Sequence, residues 1–315
     1  MILPPLPIFY HKSIVTITYL LALLPINDII KKTEVIMRVI DLVTVSDAVR
    51  ALLLECAFRA GPDLKAKIKE ALDKEESALG KDVLSQIINN HEIAENEEIP
   101  LCQDTGQVVV FLEVGGEVVF KGDIEAAVND GVRRAYAEGY LRKSVVGCPI
   151  LRENTGDNAP AIIHAKITNG DKLKITVVPK GGGAENMSAV KMLTPAAGEE
   201  GILNFVLETV RNAGGKACPP LIVGVGIGGN LEKAPLLAKE ALLRDLYDSS
   251  PLPQIRALEE KILAKINETG IGPMGYGGRV TALAVKINTF PCHIASLPVA
   301  VNLQCHVARH KTIIL

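Results

Sequence analysis

The chain has 315 residues, 34 Lys plus Arg against 36 Asp plus Glu, and 48% apolar residues, which describes a globular chain with a sizeable core and excludes a disordered or fibrous one. A net charge of -2, the absence of Trp and an aromatic content of 4% leave neither the basic field nor the stacking surfaces that nucleic-acid binding draws on. No nucleic-acid partner is expected.

In chain order, Ser13 to Asn27 carries no charge and is mostly apolar. As a helix that stretch reaches about 22 Å, short of a hydrocarbon core of roughly 30 Å, so no membrane span is expected. Pro25-Ile-Asn-Asp offers no small-residue site for signal cleavage. Amphipathic sequence begins at Met37, and residues 1–36 read as an extension or a mis-assigned start. Helices are predicted over 45–59, with Ser46 as N-cap, over 64–79, between Asp63 and Gly80, and over 81–92. The first hundred residues are thus largely helical.

Gln107–Val114 and Glu117–Phe120 flank Gly115-Gly116 and predict a hairpin. Asp123 caps a helix that runs to about Gly139. The runs 161–168 and 171–178 flank Asn169-Gly170, a strong hairpin signal. Further on come a helix over 199–212, a strand over 221–225, helices over 231–247 and 253–268, and strands over 280–288 and 294–303. The fold class is α/β (α+β), with mixed sheets, flanking helices and a helical N-terminal third.

Six cysteines stand at 56, 102, 148, 218, 292 and 305. They are too sparse for a disulfide scaffold and contain no CxxC pair for a zinc ribbon. Gly224, Gly226 and Gly229 satisfy the dinucleotide pattern G-x-G-x-x-G between a strand and a helix, which leaves an NAD-dependent oxidoreductase as a distant alternative, yet the second strand with an acidic residue at its end is missing, since Asp245 and Asp248 fall near a helix end. His306 and His310 are spaced i, i+4 without the Glu of a zincin helix. Cys102 with His293 as thiol and base stays open as an alternative.

Polar groups beside backbone-permissive residues occur in Leu101-Cys-Gln-Asp-Thr-Gly106, Arg152-Glu-Asn-Thr-Gly-Asp-Asn158, Lys180-Gly-Gly-Gly-Ala-Glu-Asn186, Ala217-Cys-Pro-Pro220, Pro291-Cys-His-Ile-Ala-Ser296 and Gln304-Cys-His-Val-Ala-Arg-His310. Taken in order, Cys-Gln-Asp-Thr-Gly, Asn-Thr-Gly, Lys-Gly-Gly-Gly, Ala-Cys-Pro-Pro and the late Cys-x-x-x-Arg resemble the α subunit of the iron–sulfur hydro-lyases. That family holds class I fumarate hydratase and L-tartrate dehydratase. The resemblance covers nearly all of the chain from about Met37, so residues 37–315 are expected to form one α-subunit domain.

The resemblance implies a [4Fe–4S] cluster on Cys102, Cys218 and Cys305, leaving Cys56, Cys148 and Cys292 as packing thiols. It implies Asp104 and His293 as an acid/base-linked pair, Gln103 and Arg142 as substrate contacts, and backbone donors from Lys180, Gly182 and Gly183. It further implies reversible dehydration of (S)-malate to fumarate, with L-tartrate as the alternative substrate. A separate β subunit, an α2β2 assembly and a cytoplasmic location are expected with it.

Overall fold

Asp41 opens the first helix of the computed structural model, which describes residues 37–315, so the reading of residues 1–36 lies outside the described residues. The Asp41 carboxylate accepts from Val43 N and starts α1 (Leu42–Phe58). Ser46, expected to cap this helix, lies buried within it and donates to Asp130 at 2.5 Å. Asp41 meets the same capping need one turn earlier. Helix α2 (Pro62–Lys74) starts on a proline and stops at Glu75, and Ser77 caps α3 (Ala78–Glu97). The run expected to continue to residue 79 therefore breaks at Glu75.

Glu75 explains the break. It is 1% exposed, and its carboxylate accepts backbone N–H bonds from Glu76, Ser77, Arg279 and Val280. Burial pushes its carboxyl up, but those donors outweigh it and hold the group below the usual carboxylate range. The helix end is thereby stapled to the glycine-rich loop 270–279. A groove of about 780 Å³ beside Glu75, Asn267 and Arg279 holds a carboxylate already spent on backbone donors.

The strand β1 (Arg38–Ile40) precedes α1. After α3 come β2 (Gln107–Gly115), β3 (Val118–Phe120) and α4 (Ile124–Glu138), the last capped by Asp123. The expected β2–β3 hairpin does not form, and β3 pairs in parallel with β1. The N–H groups of Gly115, Gly116 and Glu117 donate instead to the carbonyls of Lys172, Thr168 and Gly170, so the turn after β2 is taken by a later segment.

The same bonds overturn the second expected hairpin. Strands β4 (Ile162–Thr168) and β5 (Leu173–Lys180) do not pair. Strand β2 lies between them, parallel to β4 and antiparallel to β5, and β10 (Lys311–Ile314) completes the order β10-β5-β2-β4. Alternate residues Val108, Val110 and Leu112 with Ile175 and Val177 face Val49 and Leu53 of α1 and Val128 and Val132 of α4.

A second sheet has the order β6-β9-β7-β8, from β6 (Ala189–Leu193), β9 (Leu297–Gln304), β7 (Leu221–Gly228) and β8 (Ala282–Phe290). The single-turn α5 (Gly182–Glu185) precedes β6. Helices α6 (Gly198–Ala213) and α8 (Pro253–Asn267) pack on Val223 and Val225, while α7 (Lys233–Ala241) covers the opposite face. A third apolar cluster joins α2 and α3 to Leu101, Ile222, Leu283 and Val307, with Cys102 and Cys305 at its margin. Among the described residues no helix is long and apolar enough to cross a membrane.

The dinucleotide reading fails on this geometry. Gly224 and Gly226 lie inside β7, where an added Cβ would meet the carbonyls of Ala238 and Ala234 at 2.2 and 2.0 Å. These glycines admit α7 against the sheet, a packing role rather than a phosphate-binding turn.

Candidate active site

Strand direction brings three distant cysteines to one place. Cys218 immediately precedes the Pro219-Pro220 entry to β7, and Cys305 immediately follows β9. Because β7 and β9 are antiparallel, with Ile222 opposite Gln304, both thiols fall at the same end of the second sheet. His306 N donates to the Cys218 carbonyl at 3.2 Å and ties the two loops together. Cys218 has φ 54° and ψ 65°, a left-handed turn that closes the preceding 214–217 segment.

Cys102 comes from the loop before β2. That loop is fixed at successive residues. Leu101 N donates to Ala57 O, Asn90 Nδ2 to Leu101 O, and Thr105 Oγ1 to Arg142 O at 2.6 Å. Tyr136 Oη donates to both Thr105 O and Gly106 O, and Asn158 Nδ2 also donates to Gly106 O. Burial pushes the Tyr136 phenol up to about 12, so it stays a donor. The loop meets the others through Arg309, whose Nη2 donates to the Asp104 carbonyl at 2.8 Å.

The three thiols share one electrostatic neighbourhood. Burial raises the Cys218 thiol first, and the charges of Cys305 and Cys102 raise it further. Burial likewise raises Cys305, opposed by Arg309, and Cys102 adds to the rise. Among the described residues, no three His, Cys, Asp or Glu side chains close on a point where one metal ion would sit. Three soft thiol donors spread over three loops suit a polynuclear iron–sulfur group, whose ligands stand apart at its corners, better than a single ion.

The Asp104 carboxylate lies beside this set with both oxygens oriented. Oδ1 accepts from Gly106 N at 3.0 Å and Oδ2 from Gly182 N at 2.8 Å. A Cβ at Gly181 would approach Oδ2 to 3.2 Å, so the Lys180–Gly183 segment follows β5 closely enough to touch Asp104 only without side chains there. Gly182 thus spends its N–H on Asp104, and Gly183 is exposed next to it.

The Lys180 ammonium points elsewhere. It is buried, donates to Leu303 O at 2.8 Å and pairs with Glu185 Oε2 at 3.1 Å. Burial lowers its pKa despite Glu185. Glu185 also accepts from Lys239 and Asn302, and although burial opposes ionisation, the Lys180 and Lys239 cations and these hydrogen bonds hold its carboxyl down to about 2.

Gln103 and Arg142 are exposed at the rim, and the Arg142 guanidinium makes no ion pair among the described residues. His293 is not brought to the site. It sits in the exposed turn between β8 and β9, its Nδ1 accepting from Ala295 N at 3.1 Å. The length of β9, about 24 Å at ~3.4 Å per residue, lies between that turn and Cys305. Asp104 and His293 therefore do not pair within one chain, because β9 runs from the turn that carries His293 to Cys305 at the far end of the sheet. The full burial of Cys56 suits a packing thiol, whereas Cys292, expected to pack, is exposed in the same turn as His293.

Tyr136 and Glu185 escaped the sequence reading because nothing local marks a helix tyrosine or a lone glutamate as a loop anchor. Asn158 lay in a segment already singled out, and Arg309 in the Cys-x-x-x-Arg spacing.

The fold thus places three thiols and an oriented carboxylate in one neighbourhood. A family profile described as Fumarate hydratase (Fumerase) matches residues 46–314, and the chain belongs to that family. It is 46% identical over 274 residues to a Methanocaldococcus jannaschii protein provisionally named L(+)-tartrate dehydratase subunit alpha, covering 84% of this chain and 95% of that one. It is 32% identical over 262 residues to the L(+)-tartrate dehydratase subunit alpha of Escherichia coli strain K12, covering 82% and 86%. The Shigella sonnei protein of the same name matches over the same span at the same identity.

Proposed function

We propose that this chain is the α subunit of a two-subunit hydro-lyase that removes water from a 2-hydroxy dicarboxylate. In this reading Cys102, Cys218 and Cys305 hold a [4Fe–4S] cluster. The observation that carries it is the meeting of those thiols beside the anchored Asp104 carboxylate, from segments as far apart as residues 102 and 305. When bound, the cluster supplies a Lewis-acidic iron for the substrate hydroxyl.

The chain's own groups do the rest. Arg142 offers a free planar fork at the rim for one substrate carboxylate. Gln103 adds an amide next to the Cys102 thiol. Gly106 N and Gly182 N fix the Asp104 carboxylate so that its remaining lone pairs can take or return a proton in one direction. His293 can join it only from a second copy of the chain, which agrees with the proposed α2β2 assembly. A separate β subunit supplies the cation for the second carboxylate, a reading supported by relatives named as subunit alpha.

(S)-malate to fumarate is the first reading of the substrate. The names of the relatives favour a second, L-tartrate, which carries one more hydroxyl on C3. The test is anaerobic reconstitution with and without the β subunit encoded for the complex, followed by malate and tartrate dehydration assays. We expect bound iron and sulfide in the α chain, turnover only with both chains, and a preference for one substrate. An α chain that takes up no iron, or full turnover without a β chain, would overturn the proposal.

A further inference from the structure

Arg309 is 4% exposed and brings a guanidinium with five N–H donors and no acceptor. Nη2 donates to Asp104 O, but Nε and Nη1 are buried without any hydrogen-bond partner among the described residues. Buried, charged donors left unpaired are costly, so a native site that keeps two of them awaits an acceptor. No Asp or Glu forms an ion pair with Arg309 among the described residues. What surrounds it is the thiol site. It sits four residues after Cys305, it holds the residue two after Cys102, and its Nη2 lies 4.0 Å from where a Gly181 Cβ would stand.

The chemistry of the expected occupant completes the match. Three thiolates around a [4Fe–4S] core leave the assembly net anionic, and sulfur accepts hydrogen bonds. Potentials of such clusters respond to nearby charge and to N–H groups aimed at sulfur. We propose that Arg309 is the counter-cation of the cluster site: its buried, unpaired guanidinium N–H groups face the anionic iron–sulfur group, while Nη2 locks the Cys102–Asp104 loop in place. Arg309 is a positioning residue, acting on the cluster and on Asp104 rather than on substrate. Lys180, the other buried cation near Cys305, is already committed to Glu185 and Leu303 O, so the role falls to Arg309.

This inference rests on the cluster reading, and its test separates the two. The full-length chain and its Arg309→Met, Arg309→Gln and Arg309→Lys variants are reconstituted anaerobically. Iron and sulfide per chain, iron release to a chelator and the one-electron midpoint potential are then measured. Removing the charge in Arg309→Met should lower the potential by the equivalent of at least a tenfold change in the oxidised-to-reduced ratio, about 59 mV. It should also speed iron release tenfold or more.

Arg309→Lys, which keeps the charge, should stay near the wild type in potential. Arg309→Gln, neutral and shorter but still polar, gives the neutral reading if Arg309→Met does not fold. A neutral variant with wild-type potential and iron retention overturns the role of Arg309 and leaves the cluster reading standing. A lysine variant as perturbed as the neutral ones also overturns it, because that pattern belongs to a merely structural bond to Asp104 O. A wild-type chain that takes up no iron overturns the cluster reading itself, and this inference with it.

Discussion

Asp104 touches three parts of the fold at once, through Gly106 N, Gly182 N and its own carbonyl on Arg309. Asp104→Asn keeps the shape but presents an amide where a proton acceptor stood. Turnover of the complete complex should fall about 10²- to 10⁴-fold, the usual span for losing a general acid or base. Circular dichroism should be unchanged. Such a role was legible only through the Cys-Gln-Asp-Thr-Gly resemblance, since a lone Asp before a strand has no local mark. The anchors of its loop, Tyr136 and Asn158, lie 32 and 54 residues further on; Asn158 falls in a polar segment the sequence marks, while nothing local marks Tyr136.

A second residue-scale effect concerns acid stability. His91 is buried within α3, and desolvation lowers its pKa to about 4 from an ordinary 6.5. Above pH 6.5 both folded and unfolded states are neutral there, so the group adds no pH dependence. As the pH falls from 6.5 towards 4, the unfolded chain takes up a proton that the folded chain refuses, and stability is lost. The loss levels out at about 3–4 kcal/mol in order of magnitude, since a fall from 6.5 to about 4 counts ~1.4 kcal/mol for each pH unit between them. Denaturant titrations between pH 7 and 4 should show it, and His91→Phe should flatten that limb.

Elements were easier to read than their partners. Val-rich and β-patterned runs between turn residues announced β2, β4 and β5 by type and place, because a strand's composition is local. Pairing is not local. Asn169-Gly170 has the composition of a two-strand turn, yet its segment clasps the end of β2, which arrived some fifty residues earlier. The G-x-G-x-x-G pattern already lacked its context in the sequence, and its glycines answer to α7, whose approach no spacing rule encodes.

Gly226→Ala tests that packing. The added methyl would overlap Ala234 O, and overpacking of this kind costs about 1–3 kcal/mol or more. The chain should lose that stability in urea and should bind no NADH before or after the change. Glu75→Ala would strand the N–H groups of Arg279 and Val280, costing roughly 3 kcal/mol. Because loop 270–279 reaches the Cys218 loop through Met274 N to Pro219 O at 2.7 Å, iron uptake should fall with it.

At the scale of the molecule, His293 and Asp104 point to opposite edges, and the turn that carries His293 also exposes Ile294 at 91% and Phe290 at 52%. If two copies complete each other's sites, Asp104→Asn and His293→Asn chains are each inactive alone but complement when mixed. Random two-fold pairing makes half the dimers mixed, and each mixed dimer rebuilds one intact site of two. Recovery of about a quarter of wild-type turnover is the expected result. No recovery would place both residues' functions within one chain or remove His293 from the reaction.

The segment from Cys305 to Lys311 is a strap between the two sheets, leaving the second at the end of β9 and entering the first at β10. Its place in the order of synthesis has a consequence. A ribosome makes Cys102 and Cys218 long before Cys305, so the nascent chain carries two site thiols with no third. Any cargo that needs all three cannot be seated until the strap is threaded across and β10 zips onto β5. If Cys102, Cys218 and Cys305 share one group as proposed, its insertion falls after translation has passed Lys311.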